Sequence, residues 1–260
     1  MFHLPRHRDR CEHVRSPRPR RGGIDARCCR GFSAHLGPSG LLGEVPCRDR
    51  QPEPVTVDGV VLHWIPLGAG AGGAVVRFSG RVYEAIAATR ARRPRCALFH
   101  SALDVTVDGA TAVIEMAPVW TKSGGRGVVS EGPVGARFLG RSRLFRYEVR
   151  CWPGGSIPDL AAEVGRPVHV SGDPDVARSI LDLVPKFPAF TWGRDQLGMG
   201  DMWNSNSLVS WLLACAGVET NDLVPPLGGR APGWEAGIVA ATSSRVNRRY
   251  ESESEPPLHR

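Results

Sequence analysis

Three side chains of this 260-residue sequence could together move an acyl group: Ser205, His100 and Glu115. Ser205 lies in "DMWNSNSLVSWLLACAG", residues 201–217, where Trp203, Asn204, Ser205, Asn206 and Ser207 crowd the start of an apolar helix. A hydroxyl placed there sits at the positive end of the helix dipole, beside N–H groups that have no partner within the helix. That setting favours a developing alkoxide, and the amides of Asn204 and Asn206, with Trp203 beside them, could line an oxyanion site. His100 could take the serine proton, and the Glu115 carboxylate could orient the imidazole. The same residues have plainer uses. Asn and Ser at a helix start serve as caps, a strand histidine can be a satisfied core residue, and Glu115 can simply end its strand before Pro118.

No spacing rule links positions 100, 115 and 205, so the elements that carry them must do the positioning. "RCALFHSALDVTVDGATAVIEMAP" contains two alternating apolar runs around Asp108-Gly109, a strong hairpin signal. His100, Ala102, Asp104 and Thr106 share one face of the first strand; Phe99, Ser101, Leu103 and Val105 share the other. A two-residue turn pairs Val107 with Ala110 and, carried outward, Ala102 with Glu115. That register puts Glu115 on the His100 face, one diagonal step away.

The remaining elements follow from periodicity. "VTVDGVVLHWIPL" reads as a strand, and its "GAGAGG" continuation satisfies the G-x-G-x-x-G spacing of a dinucleotide loop. "AVVRFSG" after it reads as another strand rather than the required helix, and the acidic residue expected some twenty positions on is missing. "RVYEAIAATRARR" reads as a short amphipathic helix with Val82, Ala85 and Ile86 inward, and "GARFLGRSRLFRYEVRCW" as one or two strands. "SGDPDVARSILDLVPKF" is a helix with Ser171 or Asp173 as N-cap and Pro174 in its first turn. The helix after "NSNS" ends at a Gly217 cap. "PPLGGRAPGWEAG" is a returning loop, and "IVAA" a final strand. Trp192, Arg194 and Asp195 precede Ser205 in a loop and, with Arg230 and Trp234 of the returning loop, are candidates for a substrate rim.

Charge and composition narrow the function classes. Residues 1–50 hold 11 Arg and 5 acids, and the remaining 22 basic and 21 acidic residues nearly cancel. Six of the seven net positive charges therefore belong to the first fifty residues, and the folded body carries no nucleic-acid signature. Of 33 basic residues only Lys122 and Lys186 are lysine, a bias typical of a GC-rich genome. Four of the seven cysteines (Cys11, Cys28, Cys29 and Cys47) fall in the basic stretch without zinc-ligand spacing. Cys96, Cys151 and Cys215 read as reduced core thiols. His63 and His169 lie on apolar strands without ligand partners near in sequence, so no metal and no cofactor is expected. No run is long and apolar enough for a membrane span, and a cytoplasmic location follows as the expectation. The expected division is a disordered Arg/Pro-rich extension over 1–54, one α+β domain over 55–240 with an antiparallel sheet packed against helices, and a polar tail over 241–260.

"LFHSALDV" followed about a hundred residues later by "WNSNSLVSWLL" resembles the circularly permuted papain-like peptidases and acyltransferases. That superfamily includes the PPPDE peptidases and the relatives of lecithin retinol acyltransferase. In it, a "YHTGV"-like strand carries the base and an "NCN"-like helix start carries the nucleophile. The resemblance spans residues 57–240 in element order and implies a permuted papain-like fold. It also implies His100 as base, Ser205 as nucleophile and Glu115 as third polar residue, acting on a peptide, amide or ester. The chain departs from the family in having Ser where the family has Cys, and Cys215 lies about three helical turns too far along to replace it. Two functions are therefore expected as alternatives: a serine hydrolase or acyltransferase, and a catalytically silent binding or scaffold domain on the same fold.

Overall fold

Asp108 and Gly109 both adopt positive φ, 52° and 75°, as a two-residue hairpin turn of the type matched to strand twist requires. In the computed structural model they join β2 (Phe99–Val107) to β3 (Ala110–Pro118) in the register read from the sequence, Val107 opposite Ala110 and Thr106 opposite Thr111. The structure describes residues 58–69, 73–119, 127–155, 157 and 160–243. The extension expected over 1–54 lies outside these residues, as does the part of the expected tail beyond 243.

β1 (Gly59–Pro66), β4 (Val128–Pro133), β5 (Arg146–Pro153) and β6 (Val168–Ser171) complete an antiparallel sheet of order β4-β5-β3-β2-β1-β6. One face carries Val60, Leu62, Trp64, Phe99, Leu103, Val105, Ile114, Met116, Tyr147 and Val149, all buried. These side chains pack against α2 (Pro174–Leu183), α3 (Ser205–Cys215) and a helix over 234–243, here α4. The chain is thus α+β, with helices on an antiparallel sheet. Asp173 caps α2 by accepting the Asp175 N–H at 2.8 Å, with Pro174 next as its type predicts. α3 is buried on all sides: Leu208, Val209, Trp211, Leu212 and Leu213 are each at most 3% exposed.

The opposite face buries a small cluster of Ile65, Ala102, Val113, Trp152 and Ile157 beside two sets of charges. His63 lies between Glu163 (3.1 Å) and Asp104 (3.2 Å). Arg150, 1% exposed, bridges Glu115 at 3.0 Å and Glu148 at 2.7 Å.

Four sequence expectations are corrected. "AVVRFSG" is helical, forming the first half of α1 (Gly73–Arg90), because its Val pair continues an uninterrupted helical run. The G-x-G-x-x-G stretch therefore does open a helix, but β1 pairs antiparallel with both neighbours, so the parallel β-α-β unit of a dinucleotide site is absent around it. α1 also turns a different face inward. Val82 and Ile86 are 44% and 47% exposed, while Gly80, Glu84 and Ala88 face the protein, with Glu84 neutralised by the Arg93 fork at 2.6 and 3.0 Å. "RFLGRSRLF" forms two 3₁₀ turns, Arg137–Arg141 and Arg143–Phe145, before β5 begins. "IVAA" belongs to α4, whose Gly237 allows close packing: a Cβ there would lie 2.1 Å from Ser210 Oγ.

Candidate active site

The polar head of α3 divides sharply by hydrogen bonding. Asn204 is the N-cap: its Oδ1 accepts the Asn206 N–H at 2.8 Å and that of Ser207, whose Oγ in turn accepts the Asn204 N–H at 3.1 Å. Asn204 Nδ2 donates to the Pro232 carbonyl at 2.7 Å. Asn206 Nδ2 donates to the carbonyls of Phe99 (3.0 Å) and Pro232 (2.8 Å), and its Oδ1 accepts from Ser101 Oγ at 2.9 Å. Ser207 and Ser210 hydroxyls donate to the carbonyls of Gly233 and Trp234, each at 2.7 Å. Gly233, at φ +92°, must be glycine here, since a Cβ would lie 2.3 Å from Asn204 Oδ1. Asp201 completes the clasp by accepting the Gly233 N–H at 2.8 Å. These residues fasten the 232–234 loop and β2 to the helix.

Ser205 is the exception. It is 5% exposed, and neither its hydroxyl nor its N–H has a hydrogen-bond partner among the described residues. It faces a largely apolar cavity of about 380 Å³ that is also walled by His100, Tyr83, Pro118, Trp192 and Met202.

The cavity opens where the hairpin stops pairing. The β2–β3 ladder ends at Leu103 opposite Ile114, so Phe99–Ala102 and Glu115–Pro118 run on unpaired with each other. His100 lies on this stretch of β2 and Pro118 at the end of this stretch of β3. Burial pushes the His100 pKa down to about 4, because a charged imidazole would be poorly solvated there. It is therefore neutral at physiological pH and can accept a proton. No hydrogen bond joins it to Ser205.

Glu115 does not take the place beside His100 that the extended register gave it. Beyond Ile114 β3 keeps its pairing with β5 but not with β2, Glu115 opposite Arg150, and Arg150 holds its carboxylate. The oxyanion candidates Asn204 and Asn206 line the cavity, but both amide hydrogens of Asn206 and one of Asn204 are committed to main-chain carbonyls. Trp203 is 1% exposed and stacks on Phe187 at 4.9 Å, and Trp234 packs on Trp64 at 5.0 Å, so both are core residues. Of the rim candidates, Trp192 lines the cavity. Arg194 donates to the Gly135 carbonyl, Asp195 accepts the N–H groups of Met199 and Gly200 in its own loop, and Arg230 pairs by its main chain with Ala97 and Phe99.

Comparison with family models, curated proteins and solved structures gives no match to this chain. The functional reading therefore rests on the site alone. Tyr83 and Met202 are wall residues that the sequence offered no signal for. The carboxylates of Asp104 and Glu163 around His63 were equally hidden, being 41 and 100 residues from it. Among the described residues no group of three or more His, Cys, Asp or Glu is arranged to hold a metal, and no helix is long and apolar enough to cross a membrane.

Proposed function

We propose that the cavity is an acyl-transfer site of a hydrolase or acyltransferase, with Ser205 as nucleophile and His100 as its base. The observation that carries this reading is the contrast within "NSNS". Three of its four residues are tied down as caps and clasps, whereas Ser205 alone presents an unengaged hydroxyl to a cavity that it shares with a neutral imidazole. An unengaged hydroxyl in a cavity wall is free to bond a ligand that enters.

In the reaction, Ser205 Oγ attacks the carbonyl carbon of an ester or amide as its proton passes to His100. The Ser205 N–H and the α3 dipole stabilise the oxyanion, and the leaving group departs with the proton from His100. Water or an acceptor nucleophile then releases the acyl group from Ser205. The apolar wall suits an apolar acyl chain. A second reading, a silent binding domain, draws on Glu115: its carboxylate serves Arg150, so the imidazole has no orienting acid.

A serine-directed fluorophosphonate separates the two. Labelling at Ser205, lost in Ser205→Ala and reduced about 100-fold or more in His100→Ala, supports acyl transfer. Its rate should rise through about pH 4, where His100 loses its proton, and stay flat from there to neutrality. If wild type is inert while Ser205→Cys reacts with a thiol-directed electrophile in a His100-dependent way, the cavity binds without turning over. If neither variant reacts in folded protein, the Ser205–His100 assignment fails.

A further inference from the structure

A second cavity, of about 650 Å³, lies between β4, the first 3₁₀ turn, the start of β5 and the 189–196 loop. Its charged wall is made of Arg137, Arg141, Arg146 and Glu131, three positive groups against one negative. The body of the protein is close to neutral, with 22 basic and 21 acidic residues after position 50, so this concentration is local.

The three guanidiniums differ in their engagement. Arg146 is held in place: its Nε donates to the Gly140 carbonyl at 2.6 Å, and its Nη1 donates to Glu131 at 3.1 Å. The Arg137 and Arg141 side chains are exposed and have no ion pair or hydrogen bond among the described residues. Like charges held around one cavity repel, and among the described residues no carboxylate pairs with the two free ones. A guanidinium fork matches the oxygens of a phosphoryl group, which carries close to two negative charges and three strong acceptors. The surplus of two positive charges matches that charge.

We propose that this cavity is a binding site for a phosphoryl oxyanion. Arg146 is its fixed donor, Arg137 and Arg141 close on the ligand, and Glu131 sets the orientation of Arg146. The site is independent of the Ser205 reading, although the two cavities share a partition. Pro133 and Thr191 face the arginine cavity, while Val134 and Trp192, bridged to each other, face the other.

The test uses the full chain and inorganic phosphate, with chloride at matched ionic strength as the reference. Phosphate should raise the melting temperature saturably, and calorimetric titration should show about one site. The double variant Arg137→Gln/Arg141→Gln replaces exposed side chains, so its melting temperature without phosphate should stay at the wild-type value. Its phosphate affinity should fall about tenfold or more, because two charge-assisted contacts are gone. Flotation with phosphatidylglycerol and phosphatidylcholine vesicles separates the sources of the phosphoryl group. Arginine-dependent flotation with the anionic vesicles alone, competed by phosphate, assigns a lipid headgroup; phosphate binding with no flotation on either vesicle assigns a soluble ester. Phosphate that stabilises no more than chloride, or equal affinity in the double variant, overturns the proposal. Because Ser205 labelling involves neither arginine, the two readings fail separately.

Discussion

His63 and His100 sit on neighbouring strands, two residue pairs apart in the β1–β2 ladder, and their environments drive them in opposite directions. Burial opposes charge on both. At His63 the hydrogen bond and charge of Asp104, then those of Glu163, outweigh burial and raise the pKa above its ordinary 6.5. At His100 burial acts without opposition and the pKa falls to about 4. The carboxylate–imidazole pair that a triad needs has thus formed at His63, in the middle of the ladder. The imidazole that shares a cavity with the unengaged serine has no carboxylate partner among the described residues. An imidazole can be aligned by packing alone, as at His100, but the positive charge it acquires during catalysis then has no carboxylate to stabilise it. That difference makes His100 a base available over a wide pH range and a weak one.

The contrast between a charged sheet face and a largely apolar cavity can be tested most strongly at Arg150. Arg150→Leu should leave Glu115 and Glu148 buried without their partner and cost about 3–5 kcal/mol in urea unfolding. A loss under about 1 kcal/mol would show that the carboxylates reach water and that the face is not a buried charge network.

Next in size is the pH dependence of the two histidines. His63→Leu should cost about 1–3 kcal/mol at pH 5, by removing the partner of two carboxylates. His63 is more easily protonated in the folded chain than in the unfolded one. Its contribution is therefore complete below pH 6.5 and is lost as pH rises through the elevated pKa. His100 carries the opposite sign: its folded pKa is depressed, so stability held above pH 6.5 is lost as pH falls toward about 4. His100→Leu should remove that acid loss. Unfolding curves of the two variants from pH 4 to 8 should diverge from wild type in opposite senses. Parallel shifts would mean that the two environments are alike.

The smallest effect belongs to Ser205. Ser205→Ala removes a hydroxyl that bonds nothing among the described residues, so stability should change by no more than about 0.5 kcal/mol while labelling disappears. A loss above about 1 kcal/mol would place Ser205 among the clasps with its neighbours.

Local chemistry made the hairpin, the α2 cap and the buried run of α3 legible. Asp108-Gly109, Asp173-Pro174 and the unbroken apolar stretch after Ser207 each act within a few residues of themselves. What could not be read depends on partners far along the chain. Glu115 leaves the hairpin because β5 offers it Arg150, which lies 35 residues on. Glu84 turns inward because Arg93 and the Cys96 N–H receive it. The helix over 234–243 carries Gly237 where propensity argues against helix, and its reason is the closeness of Ser210. The candidate site follows the same division. That Asn204, Ser205, Asn206 and Ser207 cap a helix was visible in their types. That Ser205 alone stays unengaged depends on the 232–234 loop, which occupies the other three.

The Asn206 carboxamide joins a carbonyl 107 residues before it to another 26 residues after it. On the ribosome, Phe99 has long emerged when Asn206 leaves the exit tunnel, but Pro232 has not. For those intervening additions, the head of α3 can satisfy only half of its hydrogen bonds, and the apolar helix behind it lacks the cover of α4. Closure of the clasp is a late, non-local event in folding, with the slow kinetics that such contacts bring. A chain stalled before residue 232 leaves the apolar α3 without that cover, an exposed surface of the kind that favours aggregation.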